Sequence, residues 1–125
     1  MKIVDRKTFL ALPDGTVFRR FLEGTIQETL EVKGNTTREM TDDFAGDFNT
    51  MEVGGRIEME DPSKSEHVAA EKAAETGASL PIMFDGWGRD GGYDEEEWYA
   101  VYEVQEMAAM IAMLTKCYDQ VMFGK

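Results

Sequence analysis

Between Val104 and Val121 the apolar residues recur at helical spacing. Val104, Met107, Ala108, Ile111, Leu114, Tyr118 and Val121 make one continuous stripe. Met110, Met113 and Cys117 extend it to a second flank, so the apolar face is wider than one sheet face usually covers. The first flank is expected to pack on a sheet. The second belongs against a loop of the same chain or against another copy, because exposed apolar patches tend to mark interfaces. A homo-oligomer formed through Met110, Met113 and Cys117 is therefore expected.

The rest of the chain has to supply that sheet. Asp5 can N-cap a short helix over residues 6–11 that buries Phe9 and Leu10. After the Pro13-Asp14-Gly15 turn, residues 16–22 read as a strand, with Val17, Arg19 and Phe21 on one face and Phe18, Arg20 and Leu22 on the other. Glu23-Gly24 breaks the run. Ile26, Glu28, Leu30 and Val32 share a face of the next strand, which should stop near Gly34-Asn35. Residues 36–47 read as loop, with Phe44 and Phe48 anchoring it. Runs 48–53 and 56–60 flank Gly54-Gly55 as a hairpin, and one buried face requires Val53 opposite Ile57 and Met51 opposite Met59. Ser63 and Glu66 have capping-box spacing ahead of an alanine-rich helix that closes at Gly77. With Val68 as its only large aliphatic, that helix belongs on the surface. Strands 79–84 and 98–102 would pair antiparallel. The expected class is α+β: one domain over residues 1–125, an antiparallel β-sheet, a short N-terminal helix, an alanine-rich surface helix and a long C-terminal amphipathic helix packed on the sheet.

Bulk numbers narrow the function. The chain has 125 residues, 13 basic against 25 acidic, for a formal charge of −12. Such a surface repels phosphate backbones, which argues against direct nucleic-acid binding. No apolar run is long enough to span a bilayer, and the first residues lack the apolar core of a signal peptide, so a cytoplasmic, non-membrane protein is expected. Cys117 is the only cysteine, which excludes an internal disulfide and a cysteine-based metal cage.

Chemistry concentrates in Asp85-Gly86-Trp87-Gly88-Arg89-Asp90-Gly91-Gly92-Tyr93-Asp94. Glycines let the backbone approach a ligand, while Trp87, Arg89 and Tyr93 supply flat faces and a cation. A mobile acidic hairpin tip is the plainer reading. Gly86 to Gly91 matches a dinucleotide fingerprint, but the acidic run at residues 94–97 replaces the helix N-terminus that a pyrophosphate requires. A calcium loop from Asp85 to Glu96 fails at Trp87, Arg89 and Asp90. His67, on the alanine-rich helix, reads as a solvated side chain, and Cys117 as a small hydrophobe. No catalytic residue, metal ligand or cofactor is indicated. The candidate ligand-binding set is Trp87, Arg89, Phe84, Tyr93, Arg38, Arg56 and Arg19, since arginine forks hold phosphate and aromatic faces hold bases.

The segments from Lys2 to Phe18 (KIVDRKTFLALPDGTVF) and from Trp98 to Glu103 (WYAVYE) resemble a family of small tailed-phage and prophage proteins. In segment order the chain resembles the phage Thoeris anti-defence proteins of the first type. That resemblance implies a homo-oligomeric sponge in the infected host's cytoplasm. It would trap a cyclic ADP-ribose-type or cyclic oligonucleotide signal without cleaving it, in pockets at subunit boundaries near the C-terminal helices. The alternative from composition is an acidic anti-CRISPR-like inhibitor that covers a nuclease groove with Asp42, Asp43, Asp47 and the acids from Asp94 to Glu97.

Overall fold

The computed structural model describes residues 1–61, 63–92 and 97–124. In chain order the elements are β1 (Lys2–Asp5), α1 (Arg6–Leu10), β2 (Val17–Leu22), β3 (Thr25–Ile26), β4 (Glu31–Arg38), β5 (Asp47–Glu52), β6 (Arg56–Ile57), α2 (Glu66–Thr76), β7 (Ile82–Met83), β8 (Gly88–Arg89), β9 (Trp98–Val101) and α3 (Val104–Phe123). The class is the expected α+β arrangement. An antiparallel sheet runs β1-β9-β2-β4-β5-β8, with β3 hairpinned onto β2, and β6 and β7 form a separate ribbon. Glu23 and Gly24 both take positive φ, as a two-residue hairpin joining β2 to β3 demands.

One face of the sheet is finished by α1. Asp5 caps the helix by accepting from the Thr8 amide at 2.8 Å. One helical turn then places Arg6, Phe9 and Leu10 inward. Phe9 stacks on Tyr99 at 3.9 Å and meets the rings of Phe18 and Phe48 edge-on at 4.7 and 5.0 Å. All four rings are fully buried, each contributing roughly 1.5–3 kcal/mol in transfer terms. The alternation expected for β2 holds: Phe18 and Arg20 face this core while Arg19 and Phe21 face away. On that opposite face Ile3 and Trp98 remain more than 40 % exposed (42 % and 46 %).

Several expectations are overturned. The chain does not break at Gly34-Asn35; β4 runs through to Arg38, with register shifts against β5 at Thr36. The proposed hairpin of residues 48–53 with 56–60 is absent, because β5 is already paired on both edges, by β4 and by β8. β6 pairs with β7 instead, setting Ile57 opposite Ile82 rather than Val53. Nor do residues 79–84 pair with 98–102, since β9 lies between β1 and β2. Phe48 anchors the core as expected, but Phe44 is 54 % exposed, with the Arg38 guanidinium over its ring. The cap of α2 is Ser65, not Ser63, whose hydroxyl and amide are both taken by Asp61.

The largest departure concerns α3. It has the expected length and stripe, and the Glu106 carboxylate accepts from the Glu103 amide at 3.1 Å to secure its first turn. It is not packed on the sheet. None of its residues is buried, and Ile111, Leu114, Tyr118 and Val121 are 54–84 % exposed. The helix follows β9 after only Tyr102 and Glu103, and it leaves the sheet rather than folding back over it.

Candidate functional site

The glycine-rich stretch is no hairpin tip. Asp85–Gly92 forms a strap along the β5 edge of the sheet, fixed at each residue from Trp87 to Gly91. Trp87 lies over β4, where Gly34 makes room for it: a Cβ at residue 34 would sit 3.1 Å from the indole. Gly88 and Arg89 then form β8, opposite Thr50 and Asn49. Arg89 grips Asp47 through Nε and Nη2 at 2.9 and 2.7 Å. The other oxygen of Asp47 accepts from the amides of Phe48 and Gly91 at 2.9 and 2.8 Å.

Asp90 is the innermost anchor. Its carboxylate bridges two guanidinium groups, Arg6 at 2.9 Å and Arg20 at 2.6 Å, and its amide donates to the Phe48 carbonyl at 2.9 Å. Arg20 also forks onto Glu31 at 2.8 and 3.1 Å and reaches Glu97 at 2.7 Å. Arg6 donates to the carbonyls of Ala45 and Gly46 and to the Tyr99 hydroxyl. Every charge in this cluster is met. Burial alone would favour neutral Arg20 and neutral Asp90. The hydrogen bonds and opposite charges outweigh it, so the Arg20 pKa is raised and that of Asp90 is held below the usual carboxylate range. Burial and the nearby Glu97 charge push Tyr99 upward, keeping its hydroxyl neutral. Past Asp90 the strap passes so close to the 39–46 loop that a Cβ on Gly92 would meet the Gly46 carbonyl at 2.3 Å. Only glycine fits there.

Of the expected ligand residues, two meet. Arg56 and Arg89 line one cleft of about 420 Å³, together with Glu31, Glu52, Glu66 and a floor that includes Gly88. Arg56 bonds Glu66 at 3.2 Å, and its alkyl stem runs beneath Gly86. Trp87 is half exposed on the strap and Phe84 is 64 % exposed beside Gly55. The other two arginines lie elsewhere. Arg19 donates to the Gln27 carbonyl across the β2–β3 hairpin, and Arg38 sits 5.0 Å over the Phe44 ring. Tyr93 lies outside the described residues. A roomier hollow of about 850 Å³ borders Phe21, Gln27 and Trp98, but no described lysine or arginine lines it, so it is unsuited to a phosphorylated ligand.

His67 is surface-exposed and pairs with Glu71 one turn on, at 2.9 Å. Cys117 is exposed on α3, 3.8 Å from the Met113 sulfur. Of the acids considered as a nucleic-acid mimic, Asp42 and Asp43 are exposed, whereas Asp47 and Glu97 are buried in the pairs above. Asp94, Glu95 and Glu96 lie outside the described residues. The buried cluster of Arg6, Arg20, Asp90 and Tyr99 was not singled out from the sequence. Its signal was there in part: Arg6 shares the inward helix face of Phe9, and Arg20 shares the inward strand face of Phe18.

No helix among the described residues is long and apolar enough to cross a membrane. No family model, curated protein or solved structure matches the chain.

Proposed function

We propose that this chain is a self-associating binding protein without catalytic activity that sequesters a small phosphorylated cyclic nucleotide, the anti-defence sponge role that its resemblance to the phage Thoeris anti-defence proteins implies. The observation that carries the ligand reading is the convergence of Arg56 and Arg89, from separate strands, on one cleft bordered by glycine. The cleft is of a size that suits a small ligand. A phosphate entering it would compete with Glu66 for Arg56 and with Asp47 for Arg89. The half-exposed Trp87 precedes Gly88 on the same strap and offers a face for a base, a contact worth roughly 1–3 kcal/mol. Chain-wide negative charge opposes such a ligand at long range, so its capture depends on these local forks. Self-association rests on α3, whose apolar flank of Met110, Met113 and Cys117 contributes no buried residue. The acidic-inhibitor reading is the weaker one, because Asp47 and Glu97 are already spent on internal pairs.

Native mass spectrometry with cyclic ADP-ribose isomers and cyclic oligonucleotides tests the proposal. A ligand retained by the native protein, released unaltered on denaturation and lost in Arg56→Ala and Arg89→Ala supports it. Chemical turnover of the nucleotide, or binding indifferent to both substitutions, would count against it.

A further inference from the structure

The bare face of α3 has a regularity finer than its overall apolarity. Val104, Ile111 and Tyr118 recur every seven residues. So do Met107, Leu114 and Val121, three positions later. This is an unbroken heptad seam over almost the whole of Val104–Phe123, and the flanking positions Ala108, Met110, Thr115, Cys117 and Met122 carry no charge. A seam with a repeat of 3.5 fits another helix of the same kind better than it fits a sheet. Five of the seam's six residues, Val104, Ile111, Leu114, Tyr118 and Val121, are more than half exposed, an apolar strip along a helix long enough to contribute to a standard-size interface, about 800 Å² per partner. The occupant that matches is a second copy.

Orientation follows from charge. α3 holds one lysine and two acids, so eleven of the twelve excess negative charges lie on the rest of the chain. Parallel helices would bring two such bodies together at one end. Antiparallel helices of 20 residues hold them roughly 30 Å apart, about three screening lengths at ~0.1 M salt. We infer that α3 pairs with α3 of a second copy, antiparallel and in full overlap. This deepens the self-association proposed above and rests on it. One register seats all six seam residues: Val104 against Val121 of the second copy, Met107 against its Tyr118, and Ile111 against its Leu114, with each layer repeated across the two-fold axis. The Met107 layers place a thioether on a phenol ring, a favourable contact. At the flanks Met110 faces Cys117 of the other copy, so the native cysteines do not face each other.

Directional crosslinking tests this. In a Cys117→Ser background, Val104→Cys and Val121→Cys are made as separate proteins, both at exposed positions that leave the body intact. Mild oxidation of an equimolar mixture gives the mixed disulfide, while each protein oxidised alone stays uncrosslinked. Light scattering of the unmodified chain gives an even multiple of its 14.1 kDa mass, and Ile111→Glu reduces this to the monomer. Efficient disulfides within each separate sample would overturn the antiparallel register and leave self-association standing. A monomeric mass at tens of micromolar would remove both.

Discussion

The sheet face under α1 and the surface of α3 are complete in opposite ways. Under α1 the chain satisfies itself: four aromatic rings close on one another, and Asp90, Glu31 and Glu97 meet Arg6 and Arg20. Along α3 the first turn is tied down by Glu106, but the apolar stripe contributes no buried residue. α2 shows that exposure alone is not the signal, since it too has no buried residue. It has only one large aliphatic, Val68, to leave in water. A helix without cover is unremarkable when its side chains are polar, and is an interface when Ile111, Leu114, Tyr118 and Val121 are the residues exposed.

If the contrast is real, substitutions in the two regions should fail differently. Phe9→Ala removes the ring that touches three others and should cost about 3–5 kcal/mol in urea unfolding. Asp90→Ala belongs with it: two guanidinium groups lose their shared carboxylate, and breaking a buried pair costs about 3–5 kcal/mol. Either variant unfolding near the wild-type midpoint would mean that the strap and α1 are not the closure described. Leu114→Asp should do the reverse, lowering the light-scattering mass to one copy and weakening helical dichroism, with the near-ultraviolet spectrum of the buried tyrosine unchanged. Gly34→Ala is milder. Its methyl meets the Trp87 indole at 3.1 Å, so a cost of about 1 kcal/mol and a red-shifted tryptophan emission are expected. Val68→Glu on α2 should change neither mass nor midpoint by more than about 0.5 kcal/mol.

Acid sharpens the same comparison. The folded Asp90 pKa lies below its unfolded value of about 3.9. Its contribution is therefore fully present above that unfolded value and is lost as pH falls through the lower folded one. Above that window, as pH falls from neutrality toward the isoelectric point near 4.4, the body's net negative charge dwindles. Association through α3 should therefore tighten first, as pH approaches 4.4, and the body should weaken only below about 3.9. Light scattering and tyrosine dichroism across one acid titration would separate the two.

What the sequence conveyed was local. The Asp5 cap, the two faces of Val17–Leu22, the close of α2 at Gly77 and the stripe of α3 all depend on residues within a few positions of one another. Strand partners depend on the whole chain. Residues 79–84 and 98–102 had the right pattern to pair, yet β1, which was not anticipated, took one edge of β9 and β2 took the other. Gly34 looked like a stop because a glycine in a strand usually weakens it; nothing nearby in sequence announced that Trp87 would lie on it. The candidate cleft was half legible. Composition pointed to arginines, but only the sheet order shows that Arg56 and Arg89 share a cleft while Arg19 and Arg38 do not.

The segregation of charge from apolar surface makes this molecule an amphiphile, a heavily anionic head on a greasy tail. Detergents of that build gather more readily as electrolyte rises, because counter-ions quiet the heads while the tails are indifferent. Adding sodium chloride should therefore drive copies together, the opposite of an assembly held by ion pairs. The head's unspent repulsion also discourages growth from pairs into filaments.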